Sequence, residues 1–129
     1  MSIKVRKILP EFIDQRGKIS RIIDQTKLRI KGVLLITSKA KTVRGKHYHK
    51  KDSHYVYCLS GKFKYSIKDM KKTNTKIESV ILNQNDIVLT QPMIWHSMEF
   101  IEDTVFLALT TETRKHKNYE ADTIRVELN

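Results

Sequence analysis

Histidine is the side chain best suited to moving protons near neutral pH and to holding transition metals, and four of this chain's five histidines share one pattern. His47, His49 and His54 lie in RGKHYHKKDSHYVYCLSG, the segment from Arg44 to Gly61, and His96 stands later in PMIWH. His47 and His49 are two apart, so on an extended strand both project from one face. His54 shares parity with Val56 and Cys58, and His96 with Met98 and Phe100, which puts each on the apolar side of its strand. Four imidazoles aimed into one cavity would suit Zn, Fe, Ni, Cu or Mn, and an open coordination position would permit Lewis-acid chemistry. The alternative is that His54 and His96 are core histidines satisfied by hydrogen bonds, while His47 and His49 act as acid and base without metal.

The surroundings of these histidines are cationic. Lys39, Lys41, Arg44, Lys46, Lys50 and Lys51 crowd the segment, with no acidic residue before Asp52. The whole chain carries 25 Lys+Arg against 14 Asp+Glu, a net charge of +11. A nucleic acid would satisfy such a charge, but its concentration at the histidines points instead to a small anionic ligand such as a nucleotide diphosphate.

The elements that must position these residues read as strands. Apolar and β-branched runs cover 3–9, 19–23, 33–37, 53–59, 62–68, 76–82, 86–90 and 104–110, and none has a 3.6-residue period. In KFKYSIK, Phe63, Tyr65 and Ile67 belong inside, with Lys62, Lys64, Ser66 and Lys68 in water. Gly61 reads as a hairpin connection, and 71–75 and 83–86 as polar turns. The tail alternates Thr123, Arg125 and Glu127 against Ile124, Val126 and Leu128, which predicts an edge strand packed on the barrel or on a second subunit. Short strands and tight turns without helical units predict an all-β sandwich or closed barrel.

At 129 residues the chain suits one domain, 1–129, and no apolar run approaches the roughly 20 residues that span a bilayer. MSIKVRKILPEF lacks the uninterrupted apolar stretch of a secretory signal. One cysteine, Cys58, permits no internal disulfide and reads as a buried small hydrophobe. A cytoplasmic protein is the expectation.

The spacing H-x-H, four residues, H, six residues, G from His47 to Gly61 resembles the first motif of the cupins, with His54 where many members carry glutamate. Pro92 to His96 resembles the second motif, one residue short and without its glycine. The resemblance implies a single-domain jelly-roll barrel, the double-stranded β-helix. IDQRG at 13–17, VRGKHYHKK and PMIWHSMEF are similar to the nucleotide-sugar branch, which holds the dTDP-sugar 3,4-ketoisomerases and the dTDP-4-dehydrorhamnose 3,5-epimerases. Asp14 and Arg16 fill the early D-x-R-G, and Arg44, Gly45, His47, His49, Lys50, Pro92, Trp95 and His96 the later ketoisomerase positions.

That resemblance implies an enzyme of surface-polysaccharide sugar synthesis acting on a nucleotide-linked 4-keto-6-deoxy sugar, most simply a 3,4-ketoisomerase. His49 would be the base, with His47 shuttling a proton or polarising the ketone. Arg44 and Lys46 would hold the diphosphate or stabilise the enediolate, and Tyr57 or Trp95 would either stack on sugar or base or serve as packing aromatics. Either no cofactor or one divalent transition metal on His47, His49, His54 and His96 is implied. The partners would be the nucleotide-diphosphate sugar and a second copy in a homodimer, with no nucleic acid or membrane. A C3- or 3,5-epimerase of the same substrates, a metal-dependent dioxygenase-like cupin and a non-catalytic sugar-binding cupin are the other readings. The chain departs from both enzyme groups in its acid: LLITSKAKT lacks the upstream tyrosine of the ketoisomerases, and TVFLALTT the late tyrosine of the epimerases. The general acid is unassigned in the sequence.

Overall fold

The structure, a computed structural model, describes residues 3–128. Its strands are β1 (Arg6–Lys7), β2 (Pro10–Asp14), β3 (Gly17–Ser20), β4 (Gly32–Ser38), β5 (Val43–His49), β6 (His54–Ser60), β7 (Lys62–Asp69), β8 (Glu78–Asn83), β9 (Asp86–Thr90), β10 (Ile94–Phe100), β11 (Thr104–Thr110) and β12 (Thr123–Arg125). A seven-residue helix, α1 (His116–Asp122), precedes β12. Two five-stranded antiparallel sheets, ordered β1-β9-β6-β11-β4 and β12-β5-β10-β7-β8, face one another as a jelly roll, and β2-β3 forms a separate ribbon.

Strand alternation sets the core as the sequence predicts. Phe63, Tyr65, Val56, Cys58, Met98, Phe100 and Phe106 are buried between the sheets. The rings of Phe63, Phe100 and Phe106 pack with centroids 5.3 to 6.0 Å apart, and burial of each is worth about 1.5–3 kcal/mol. Ser66, expected in water, is buried instead, because its hydroxyl meets Ser79 Oγ at 2.7 Å across β7 and β8. The expected strand over 3–9 shrinks to Arg6–Lys7, since only these two residues pair with β9.

Two features depart from simple alternation. The first is a bulge: β10 pairs with β5 through His96 opposite His47 and then Ser97 opposite Gly45, leaving Lys46 unpaired. Gly45 and Lys46 both take positive φ, +87° and +60°. A side chain at Gly45 would bring Cβ within 2.8 Å of the His96 carbonyl oxygen, so glycine is required there. The bulge turns Arg44 onto the inward face, opposite Met98. The second is α1, which no apolar periodicity announces because it has no buried residue. It is held by polar bonds: Asp122 accepts the Lys51 amide at 2.8 Å and the Asp52 amide at 3.2 Å, and its carbonyl accepts that of Lys50. The tail then enters β12 as expected and pairs with β5 of its own chain. Among the described residues no helix is long and apolar enough to cross a membrane.

Candidate active site

β5, β6 and β10 deliver four imidazoles to one end of the barrel. His47 and His96 are cross-strand partners, so they share the inner face. Ring centroids lie 4.7 Å apart for His47 and His96, 4.8 Å for His47 and His49, 5.1 Å for His54 and His96, and 5.5 Å for His49 and His96. They form one wall of a cavity of about 390 Å³, whose apolar lining includes Ile36, Val56, Met98, Phe106 and Ala108. Arg44, Arg114, Tyr119 and Arg125 also line it.

Hydrogen bonds fix the tautomers of three rings. His96 Nδ1 lies 3.1 Å from the Ile94 carbonyl oxygen, which can only accept, so Nδ1 carries the proton. His54 Nδ1 donates to Asp52 Oδ2 at 2.8 Å. Thr123 Oγ1 gives its own proton to the Tyr119 carbonyl at 2.6 Å and so accepts from His49 Nδ1 at 3.2 Å. The Nε2 lone pairs of His49, His54 and His96 are therefore uncommitted. His47 makes no side-chain hydrogen bond among the described residues.

Asp52 anchors the arrangement. Its side chain is fully buried and accepts from His54, from Arg114 Nη2 at 3.1 Å, and from the amides of Thr111 and Glu112, each at 3.1 Å. Burial pushes its pKa up, but the hydrogen bond from His54, the charges of His54 and Arg114 and the Glu112 amide outweigh it and hold the carboxyl below its usual range. The imidazoles move the other way. Burial, then the charges of His54 and Arg114, lowers His47 to about 4. Burial, then Arg114 and His54, lowers His49 to about 3. Burial pushes His96 well below its usual range, and lowers His54 despite Asp52. The cluster is neutral at physiological pH.

This donor set fits a divalent transition metal. His47, His49 and His96 can each place one donor atom within 4.8 Å of the others. Two of the three, His49 and His96, are neutral rings with the far nitrogen engaged, the usual state of histidine ligands.

Not every residue the sequence singled out reaches the cavity. Tyr57 lies on the far side of β6, packed with Ile8 and Ile87, its hydroxyl bonded to Asn85 Oδ1 at 2.8 Å. Trp95 is buried, its parity is opposite to that of His96, and Nε1 donates to the Val126 carbonyl at 2.8 Å. Both are packing aromatics here. Lys46, unpaired in the bulge, reaches Glu127 at 3.3 Å instead of the cavity. Arg44 does reach it, donating from Nε to Ser38 Oγ at 2.7 Å and from Nη2 to the Thr37 carbonyl at 3.0 Å. The residues the sequence did not assign are Asp52, Arg114, Tyr119 and Thr123. The D-x-H of Asp52 and His54 was the available signal for one of them. Cys58 is buried and its thiol is pushed up to about 11, chiefly by burial.

The family described as "WxcM-like, C-terminal" matches residues 1–125. The chain belongs to that family. Among solved structures, a double mutant of the QdtA 3,4-ketoisomerase from Thermoanaerobacterium thermosaccharolyticum in complex with TDP is 31% identical, with 96% of this chain and 87% of that one covered at a TM-score of 0.73. The WlaRB TDP-quinovose 3,4-ketoisomerase from Campylobacter jejuni shares the fold at 22% identity, with 95% and 92% covered and a TM-score of 0.77. So does the dTDP-4-dehydrorhamnose 3,5-epimerase from Sulfolobus tokodaii, at 16% identity, 98% and 83% covered, TM-score 0.77. Comparison with curated proteins returns no match. The fold is thus the cupin jelly roll that the histidine spacing implied.

The buried neutral rings make stability depend on pH. In the unfolded chain a histidine binds its proton near 6.5, whereas in the folded chain His47 waits until about 4 and His49 until about 3. The unfolded state therefore holds more protons in that window, so stability is full above 6.5 and is lost as pH falls. The urea midpoint should drop steeply from pH 6.5 to 4, and a His47→Asn/His49→Asn double variant should flatten the slope. A wild-type midpoint constant across the window would contradict the buried neutral cluster.

Proposed function

We propose that this chain is a nucleotide-sugar 3,4-ketoisomerase, moving the ketone of a nucleotide-linked 4-keto-6-deoxy sugar from C4 to C3. The observation that carries the reading is the pair His47 and His49, neutral and side by side on a half-apolar cavity with arginines at its rim. Removing a proton beside a ketone needs a neutral base held in place and donors for the enolate oxygen. His49 supplies the base, its Nε2 lone pair oriented by the Nδ1 bond to Thr123. Negative charge developing on the substrate raises the proton affinity of the nearby imidazoles, which burial and the neighbouring charges of His54 and Arg114 keep low. His47, without a protein partner for either nitrogen among the described residues, returns the proton at the neighbouring carbon. Arg44 keeps Nη1 out of its bonds to Ser38 and Thr37, which leaves a donor for the diphosphate. The relatives named above as ketoisomerases, one of them with TDP, support the substrate class.

A C3- or 3,5-epimerase uses the same proton abstraction and differs only in where the proton returns. If a metal occupies the cluster, His47, His49 and His96 would hold it, and it would supply Lewis-acid polarisation of the ketone.

We also propose that the chain pairs with a second copy. The ribbon β2-β3 exposes Phe12, Ile13 and Ile19 at 51–69%, Leu9 just before it is 71% exposed, and edge strand β4 exposes Val33 and Leu35. A two-stranded ribbon with its apolar residues in water is marginal alone, and an uncovered edge invites pairing. Sedimentation equilibrium should find a dimer at micromolar concentration, and a monomer would contradict the pairing.

The activity is tested by proton NMR in heavy water with dTDP- and UDP-linked 4-keto-6-deoxy sugars. Exchange at C3 with appearance of a C3 ketone is expected, surviving EDTA treatment and abolished in a folded His49→Asn variant. Exchange with inversion and an unmoved ketone would replace the assignment by an epimerase. Loss of activity on chelation, restored by a divalent metal, would replace the metal-free mechanism. No exchange with any sugar would sink the reading.

A further inference from the structure

Moving a ketone along a carbon chain requires two proton transfers at oxygen as well as two at carbon. In the mechanism proposed above His49 and His47 serve the C–H bonds, and His54 and His96, protonated at Nδ1, have no N–H to offer from Nε2. The oxygen side then falls to another exchangeable group that lines the same cavity, and Tyr119 offers one.

The chain has five tyrosines. Tyr55 bonds Thr26 Oγ1 at 2.9 Å, Tyr57 bonds Asn85 at 2.8 Å, and Tyr65 bonds Thr90. Tyr48 sits at the intervening position of β5, opposite Ile124, on the face away from His47 and His49. Tyr119 alone among them lines the imidazole cavity, half-buried, its ring centroid 5.6 Å from that of His49 and 6.2 Å from that of His47. Its hydroxyl makes no hydrogen bond among the described residues, although a tyrosine so placed ordinarily finds a partner. The ring is held rather than loose. Arg114 lies over it at 5.1 Å from the centroid and is itself fixed by Asp52, while the Tyr119 carbonyl is tied to Thr123 Oγ1. The Arg114 guanidinium also stabilises negative charge that develops in the cavity beside it.

We propose that Tyr119 is the catalytic residue that handles the oxygen-bound proton; the assignment rests on the ketoisomerase reading above. As His49 takes the proton from C3, the C–H pair forms the C3=C4 bond and the C4=O π pair moves onto O4. Tyr119 Oη–H donates to O4, leaving an enediol and a phenolate near Arg114. The phenolate then takes the proton from O3, whose electrons form the new C3=O bond. His49 passes its proton to His47 beside it, and the C3=C4 pair in turn accepts that proton at C4 from the His47 imidazolium. The ketone has moved, both groups are restored, and no oxidant or reductant is needed. Tyr119 therefore fills the acid role that the sequence left without a residue.

Tyr119→Phe keeps the ring under Arg114 and removes only the hydroxyl. With a dTDP-4-keto-6-deoxy sugar that the wild type converts, migration of the ketone should fall by about 100-fold or more. Exchange at C3 in heavy water should fall less, so that exchange outruns migration, and KM should stay within about threefold. TDP titrated into both proteins checks that the cavity persists in the variant. Migration at the wild-type rate would overturn the assignment. So would equal losses of exchange and migration with a raised KM, which is the signature of a ring that only positions its neighbours. If the wild type exchanges no sugar at all, the ketoisomerase reading fails and the role of Tyr119 falls with it. That outcome is told apart from the others because it appears before any substitution is made.

Discussion

A fully buried carboxylate is expensive, and Asp52 is tolerable only because donors from four residues converge on it. Those donors come from separate parts of the chain: His54 at the start of β6, the amides of Thr111 and Glu112 beyond β11, and Arg114 before α1. One side chain thereby sets the tautomer of a cavity histidine, pins the exit of β11 and places a guanidinium at the rim. The same loop is gripped from the other side by Asp122, at the end of α1. The helix buries none of its residues, so these polar ties, and not an apolar stripe, decide where it sits and where Tyr119 goes.

Neutrality of the cluster follows from the same burial. Four imidazoles within a few ångströms cannot share positive charge in a cavity with an apolar half, and Arg114 adds to the repulsion. The outcome is a set of lone pairs aimed at one space, which serves carbon-acid chemistry and metal ligation equally well. What tilts the reading toward sugars is the context: arginines at the rim and relatives named for ketoisomerisation.

Much of this was legible in the chain because strand parity is a strong signal. It placed His47, His49, His54 and His96 on inner faces, found β9 and β11 with their bounds, and identified the terminal edge strand. It failed where alternation breaks. The bulge at Gly45 and Lys46 shifts parity by one, so Arg44 and Lys46, which look equivalent in sequence, end on opposite sides. Trp95 and Tyr57 carry the composition of ligand-stacking residues but the parity of packing ones. The helix was illegible because a short polar turn has no hydrophobic period to read, and Tyr119 went unassigned with it.

The central claim is that burial and fixed acceptors keep these imidazoles neutral with Nε2 open to the cavity. Long-range proton–nitrogen correlation spectra of the histidine side chains at pH 7 measure it directly. The account predicts His49, His54 and His96 as neutral rings protonated at Nδ1. A ring of this trio found doubly protonated, or carrying its proton at Nε2, would contradict it.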